Sequence, residues 1–524
     1  MPIQDTSKPI QDELWIPNVA LCVLSFLLFF STVWFASSKY GIGLSPDSAT
    51  YLSVAQNLKD NFSLLDHSEK ASSHFPPGYS AMIATTSLLT GRDVRHGAPR
   101  LLSATLFGIL GATSILLLQN VNASVSIQGL AMLLMLGFRP LLTHAALATS
   151  ELPFLTALAV ATLFFLWWLN TKKTLFLAFT AILCGIFCLT RYVGIVWPIA
   201  FFLTGVIFQK HYPIRKRFLL SLGFTILAYL PLLTWLFSWK LYGPGDSARS
   251  IAWHPISYNM IKSGIAELSS CISIATIPSS ILFIAALLIV CLLTRRYFPS
   301  LGNLSTTNPR PNLELVFLLG LSTFGYIIFL VISISFLDRA TPLDGRILLP
   351  ATWSIMMILL VLLQSLQKQI VTLRAVYFVL IFSFFWARFL LDSVPLLADL
   401  HREGIDLARP EILYNKTLDF IRTEIPKEKV VFSNTPWTVS LVSKRNVRYM
   451  PSKTDYTSGV GNRNYELELR EITERVKSGD AILVIDTLYS DAVYDPPTEE
   501  EIEETGLIAD PNKSTERFRV YGVR

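Results

Sequence analysis

Residues 45–58, Ser-Pro-Asp-Ser-Ala-Thr-Tyr-Leu-Ser-Val-Ala-Gln-Asn-Leu, and residues 74–79, His-Phe-Pro-Pro-Gly-Tyr, follow directly on the first apolar run long enough to cross a membrane. Polar chemistry in that position stands at a membrane face. Asp47 is its most conspicuous acid, and the fold reading works outward from it in both directions.

The 524 residues are 52% hydrophobic and 12% aromatic with only 16% charged, and the mean hydropathy is +0.48. This is the composition of a polytopic membrane protein. Residues 393–524 hold 18 Lys/Arg against 23 Asp/Glu, so the preceding 392 residues carry 26 against 15. The basic excess therefore belongs to loops between apolar segments, and a nucleic-acid surface is not expected. The run at 15–35 is too long and too aromatic for a cleaved signal and reads as a retained helix.

Thirteen apolar segments suit spanning helices: 15–36, 77–91, 100–119, 125–138, 140–150, 151–169, 174–190, 192–208, 218–238, 277–294, 314–337, 346–364 and 373–392. With the N-terminal segment 1–14 in the cytoplasm, the basic loops at 91–100, Arg139, 170–173, 209–217, 294–310 and 364–374 fall on one side, as the positive-inside rule asks. The other side then receives the loops 37–76 and 239–276, the turn 338–345 and the tail 393–524. The expectation is a membrane domain of about 12–13 helices over 15–392, integral to the cell (plasma or inner) membrane, with a small extracytoplasmic α/β domain at 393–524. In that tail the apolar run Ala481–Asp486 reads as a buried strand and 429–433 as another, with helices over 411–423, 437–443 and 465–477. The acidic stretch Glu499–Glu504 reads as disordered.

The five cysteines, Cys22, Cys184, Cys188, Cys271 and Cys291, lie in or beside apolar runs, which argues against a disulfide framework. Three Asn-x-Ser/Thr sequons, at Asn122, Asn303 and Asn415, are frequent enough by chance to carry no weight. No Walker motif, Gly-rich phosphate loop or zinc spacing is present, which speaks against a nucleotide-sugar donor or an ATP-driven pump. No cofactor is expected, with a divalent metal left open.

Pro46 and Asp47 can open a helix whose dipole favours a carboxylate in the first turn. Tyr51, Ala55 and Leu58 then share one face, giving an amphipathic helix suited to the membrane surface. On this reading Asp47 is either a helix cap or a working acid. Pro76-Pro77-Gly78 is turn chemistry ahead of the next helix, and His74 titrates near neutrality at the membrane face.

The order Asp47-x-x-x-Tyr51-x-x-x-Ala55-x-x-Leu58, Pro76-Pro77-x-Tyr79, Thr149-Ser150-Glu151-Leu152-Pro153-Phe154, Leu189-Thr190-Arg191 and Gly345-Arg346-Ile347-Leu348-Leu349-Pro350 resembles the GT-C superfamily of integral-membrane glycosyltransferases, on the protein O-mannosyltransferase and aminoarabinose transferase branch. The resemblance runs over 15–392. It implies transfer of a sugar from a polyprenyl-phosphate carrier to an acceptor hydroxyl on the outer face, with the acid of the first outside loop, Asp47, as general base. Many relatives carry two adjacent acids there, whereas this chain has Asp47-Ser48, which weakens a protein-mannosylation reading and leaves the acceptor open between lipid, glycan and protein.

The chemistry asks for the same parts independently: a base for the acceptor hydroxyl and cations for the departing lipid phosphate. Arg191 and Arg346 stand at the ends of apolar helices, where a cation has a partner or a job, and Arg binds phosphate bidentately. Each has a plainer alternative. Arg191 can snorkel to the interface, and Arg346 can pair with Asp338 or Asp344 in its own loop. Glu151 is either a first-turn acid or a residue that orients Arg191 or the acceptor. Tyr51, His74, Tyr79, Glu151, Arg249 and His254 complete the set of candidate substrate-binding residues. A transporter or flippase of a lipid-linked glycan is the alternative function, and paired halves with mid-membrane charges would favour it.

Overall fold

The computed structural model describes residues 11–71, 74–242, 253–269, 311–367, 374–455, 459–489 and 495–523. The expected span at 277–294, and with it Cys271, Cys291, Asn303 and Arg249, lies outside them.

The chain begins with α1 (Gln11–Ala36), α2 (Pro46–Asn61), α3 (Gly78–Thr90), α4 (Gly97–Asn120), α5 (Val125–Leu136), α6 (Arg139–Ala145) and α7 (Glu151–Thr171). It continues through α8 (Thr174–Thr190), α9 (Val196–Phe208), α10 (Ile214–Tyr242), α11 (Tyr258–Ser269), α12 (Pro311–Phe336), α13 (Leu349–Gln367), α14 (Arg374–Arg388) and α15 (Val394–Glu403). Among the described residues six helices are long and apolar enough to cross a membrane, and α5 with α6, bent by 68°, makes a seventh. Shorter apolar helices lie at Thr174–Thr190, Tyr192–Phe208 and Leu349–Ser365. The lipid-facing helices carry their apolar side chains outward: in α10, Leu227, Leu230, Leu233 and Phe237 are exposed. α7, by contrast, is buried on nearly every side, which explains why its sequence shows no amphipathic period.

Two expected crossings do not occur singly. α3 has 13 residues, about 20 Å of helix at 1.5 Å per residue, too short for a hydrocarbon core of about 30 Å. Both of its ends lie at one face, because Arg95, just after it, donates to the Leu441 carbonyl of the tail at 3.1 Å, and Arg100 donates to the Trp34 carbonyl at 2.8 Å near the end of α1. The segment 140–150 is no separate span either. Gly137 and an extended Phe138 end α5, Pro140 restarts the chain as α6, and the bent pair crosses once, with Pro140 ending beside Gly345. The two corrections cancel in parity, so they leave unchanged the sidedness expected from the sequence for the segments after residue 150. They move the arginines of 91–100 and Arg139 from the N-terminal face to the face that carries Asp47.

The tail adds α16 (Pro410–Leu413), α17 (Lys416–Thr423), β1 (Val430–Ser433), α18 (Pro436–Ser443), β2 (Val447–Tyr449), α19 (Tyr465–Lys477), β3 (Ala481–Asp486), α20 (Glu499–Glu504), β4 (Ile508–Ala509) and β5 (Phe518–Gly522). The sheet order is β2-β1-β3-β5-β4, parallel across the first three strands and antiparallel at β5 and β4. Central β3 is buried along all of its length, as a parallel strand covered on both faces should be. The acidic stretch is a helix and not disordered: Thr498 and Glu501 form a reciprocal capping box, Ile502 is buried, and Arg519, Tyr521 and Lys453 engage Glu499 and Glu501.

Candidate functional site

α2 opens at Ser45, whose hydroxyl accepts from the Ser48 backbone N–H at 3.4 Å while the Ser48 hydroxyl accepts from the Ser45 N–H at 2.9 Å. Asp47, in the first turn, is therefore relieved of capping, and its carboxylate is left for another partner. Ser48 also donates to the Ala148 carbonyl at 2.8 Å. Just upstream, Gly43 exchanges backbone hydrogen bonds with Ala146 and Ala148 at 2.8 and 2.9 Å. A Cβ on Gly43 would come within 2.7 Å of Ile405 and 2.8 Å of Leu147, so only glycine lets the three segments pack this closely. The far side of this strand is held by the linker: Leu407 N–H donates to Leu44 at 2.8 Å.

The apolar face of α2 does not lie on lipid as its pattern suggests. Tyr51 and Ala55 are fully buried, and the helix is enclosed between α3 and α18 of the tail. The Tyr51 hydroxyl donates to Ser150 at 3.0 Å, and its ring meets Phe75 at 4.8 Å and Tyr79 at 5.1 Å. Burial, with the fields of Asp47 and Glu151 behind it, raises the Tyr51 pKa, so the hydroxyl stays a donor.

Four charges converge here. Glu151, at the first position of α7, is 2% exposed. Its Oε1 accepts from Arg191, in extended backbone just past α8, and from Arg346 Nε at 2.6 Å. Arg346 reaches on to Asp47 with its Nη2. Arg346 thus pairs with acids 195 and 299 residues upstream, and the expected partners Asp338 and Asp344 serve instead to turn its loop, accepting backbone N–H bonds from Ala340 at 3.1 Å and Ile347 at 2.9 Å. Burial works against the Arg346 charge, and the carboxylates of Glu151 and Asp47 outweigh it, so its pKa is raised and it remains a cation. Arg191 is anchored in this network and not simply turned to the interface; it also donates to Ser150 at 3.4 Å.

The remaining candidates lie around the network. Tyr79 is buried beside Tyr51, and Gly78 ahead of it packs against the Leu189 carbonyl, two residues before Arg191. His74 is exposed, edge-on to Phe75 at 4.5 Å. His254 stands apart, its backbone N–H on the Ser335 carbonyl at 2.8 Å at the end of α12. Sequence reading missed Ser150, which links Tyr51 to Arg191, and Tyr326, whose hydroxyl donates to the Ile347 carbonyl and steadies the Arg346 loop. A tyrosine in the middle of an apolar span was the available signal for the second.

Glu151 thus brings the guanidinium groups of Arg191 and Arg346 together on one carboxylate oxygen, and Asp47 lies one contact further on. Among the described residues no three His, Cys, Asp or Glu side chains converge as a metal site.

No protein-family model and no curated protein sequence matches the chain. Solved structures do. ArnT from Cupriavidus metallidurans, in the crystal structure bound to undecaprenyl phosphate, is similar with a TM-score of 0.60 at 12% identity over 97% of this chain and 98% of that one. Its apo form gives 0.50 at 11% identity over 98% of both chains. The Archaeoglobus fulgidus oligosaccharyltransferase in complex with Zn and sulfate gives 0.51 at 12% identity, over 96% of this chain and 72% of that one. The chain shares the fold of these structures, and in it a polytopic helical membrane domain is followed by a small α/β domain.

Proposed function

We propose that the protein is a membrane glycosyltransferase that moves a sugar from a polyprenyl-phosphate carrier to an acceptor hydroxyl at the outer membrane face. The observation that carries this reading is the joining of Asp47, Glu151, Arg191 and Arg346 in one ion network at the end of the helical bundle. ArnT, which shares the fold, has been crystallised with undecaprenyl phosphate, and that supports a polyprenyl-phosphate donor.

In this mechanism the donor phosphate binds Arg191 and Arg346, replacing part of their contact with carboxylates. Drawing Arg346 toward phosphate leaves Asp47 without its cation, and a carboxylate so released is the better proton acceptor. Asp47 takes the proton of the acceptor hydroxyl as the acceptor oxygen bonds to the anomeric carbon. The bond from that carbon to the phosphate oxygen breaks, and the electron pair leaves on the lipid phosphate, whose charge the two arginines neutralise. Glu151 touches no reacting atom; it holds both guanidinium groups in place.

The test is transfer of radiolabelled sugar from polyprenyl-phosphate donors by the purified full chain in lipid nanodiscs. Asp47→Asn is expected to lower kcat by about 10²–10⁴ with the fold intact, and Arg346→Lys to weaken donor binding because the bidentate contact is lost. Full transfer by a normally folded D47N protein would remove Asp47 as the base.

A further inference from the structure

A second charged region lies on the same face, away from the ion network. A cavity of about 320 Å³, open on one side, sits in the seam between the membrane domain and the tail. Lys39 and His96 enter from the bundle with Arg95, and Arg422 and Lys444 enter from the tail; among the described residues no acidic side chain lines it.

The nearby acids are already engaged. Asp93 accepts the backbone N–H groups of Arg95 and His96, each at 3.0 Å, and Asp419 pairs with Arg422. Arg95 spends one donor on the Leu441 carbonyl at 3.1 Å, and Lys39 lies 4.9 Å from the Tyr40 ring. Lys444, the left-handed residue that ends α18, projects from a fixed backbone position and is exposed. The result is a concave surface carrying more positive charge than its surroundings balance, which raises the local concentration of an anion.

The level of the cavity narrows the ligand. Lys39 is three residues past the end of α1, and at that end Arg100 lies 3.9 Å over the Trp34 ring, an aromatic and cation pair typical of the headgroup layer. Leu44, Leu441 and Val442 give one wall apolar character, suited to the carbon skeleton beyond a phosphate. We propose that this seam cavity binds a phosphate ester, clamping the tail to the bundle through the ligand's charge. The site is independent of the reaction assigned above.

Two sources present that chemistry, an anionic lipid headgroup or a soluble phosphate, and the experiment separates them. The full chain is purified in detergent and offered phosphatidylglycerol or phosphatidylcholine, with retained lipid counted by native mass spectrometry. In parallel, its thermal midpoint is followed with inorganic phosphate against chloride at equal ionic strength. Wild type is expected to retain phosphatidylglycerol over phosphatidylcholine, Lys39→Ala with Lys444→Ala to lower that retention about tenfold, and K39R/K444R to restore it. A midpoint raised by inorganic phosphate in wild type but not in K39A/K444A supports the site with a soluble ligand. Equal lipid retention and equal phosphate response in the wild-type and K39A/K444A proteins overturns the proposal. Should the double variant not fold, Lys444→Gln alone makes the same comparison, since Lys444 is exposed.

Discussion

The two charged regions on the site face solve opposite problems. In the ion network two acids meet two arginines, and the innermost acid is almost wholly buried. Such a cluster pairs its charges and fixes their geometry before any ligand arrives. In the seam cavity Lys39, Arg422 and Lys444 are exposed and Arg95 is half-buried, the bases come from two parts of the chain, and among the described residues no acid joins the lining. That arrangement tolerates its own charge only because water is near. A balanced buried cluster is costly to break, and an unbalanced exposed one is cheap to alter.

Glu151→Gln breaks the first region most severely. It leaves two largely buried guanidinium groups facing each other without the shared carboxylate, and removal of one partner from a buried pair costs about 3–5 kcal/mol. The expected result is a lowered unfolding midpoint together with lost donor binding. A midpoint equal to wild type would mean that Asp47 alone holds both arginines.

Gly43→Ala acts on the strand that joins the two regions. Leu44 lines the cavity, and the partner segment Ala146–Ala148 leads into Glu151. The new methyl would lie 2.9 Å from the Ala146 carbonyl and closer still to Ile405 and Leu147, so the backbone must shift. Overpacking of this kind costs about 1–3 kcal/mol, read as a lower midpoint and a loss of transfer without change to any charged residue.

How much of this was open to sequence reading follows from the range of each interaction. The spans at 15–36, 100–119, 151–169, 174–190 and 314–337 are seen as α1, α4, α7, α8 and α12, because apolar length is a local property. α3 misled because apolarity alone does not say whether a helix crosses or lies within the protein at its face. The Thr498–Glu501 capping box was legible, and the acid run around it hid the signal. β2, β4 and β5 went unread because they have three, two and five residues and gain their partners from elsewhere in the chain. Asp47, Glu151, Arg191 and Arg346 were each picked out, and Glu151 orienting Arg191 was one of the readings offered, but nothing local joins Arg346 to Asp47 across 299 residues. The nearer Asp338 and Asp344 were the natural expectation, and the bundle overruled it.

A pH titration sharpens the comparison at a third point on the seam. His67 is 2% exposed, its two ring nitrogens have no hydrogen-bond partner among the described residues, and its carbonyl accepts from Val447 of β2 at 2.9 Å. Burial lowers its pKa below the usual 6.5, with the charge of Asp66 opposing. The native state therefore binds fewer protons than the unfolded chain. Its stabilising contribution is present above pH 6.5 and is lost as pH falls from there through the depressed native value, by at most about 1.4 kcal/mol per unit. Unfolding midpoints between pH 7.5 and 5 should fall in wild type, and His67→Gln should flatten the slope.

The smallest effect is the stability of K39A/K444A, and its sign is informative. Neither lysine is part of an ion pair in the described structure, and both are exposed, so truncation is expected to change the unfolding free energy by no more than about 0.5 kcal/mol. At low ionic strength the change should favour the folded state, because like charges have been removed from one surface. Salt near 1 M, where the screening length is about 3 Å, should erase that difference and leave the E151Q penalty nearly intact, since buried pairs are screened far less. If instead the double variant is markedly destabilised and salt makes no difference, the lysines hold the seam by packing, and the two charged regions are alike in kind.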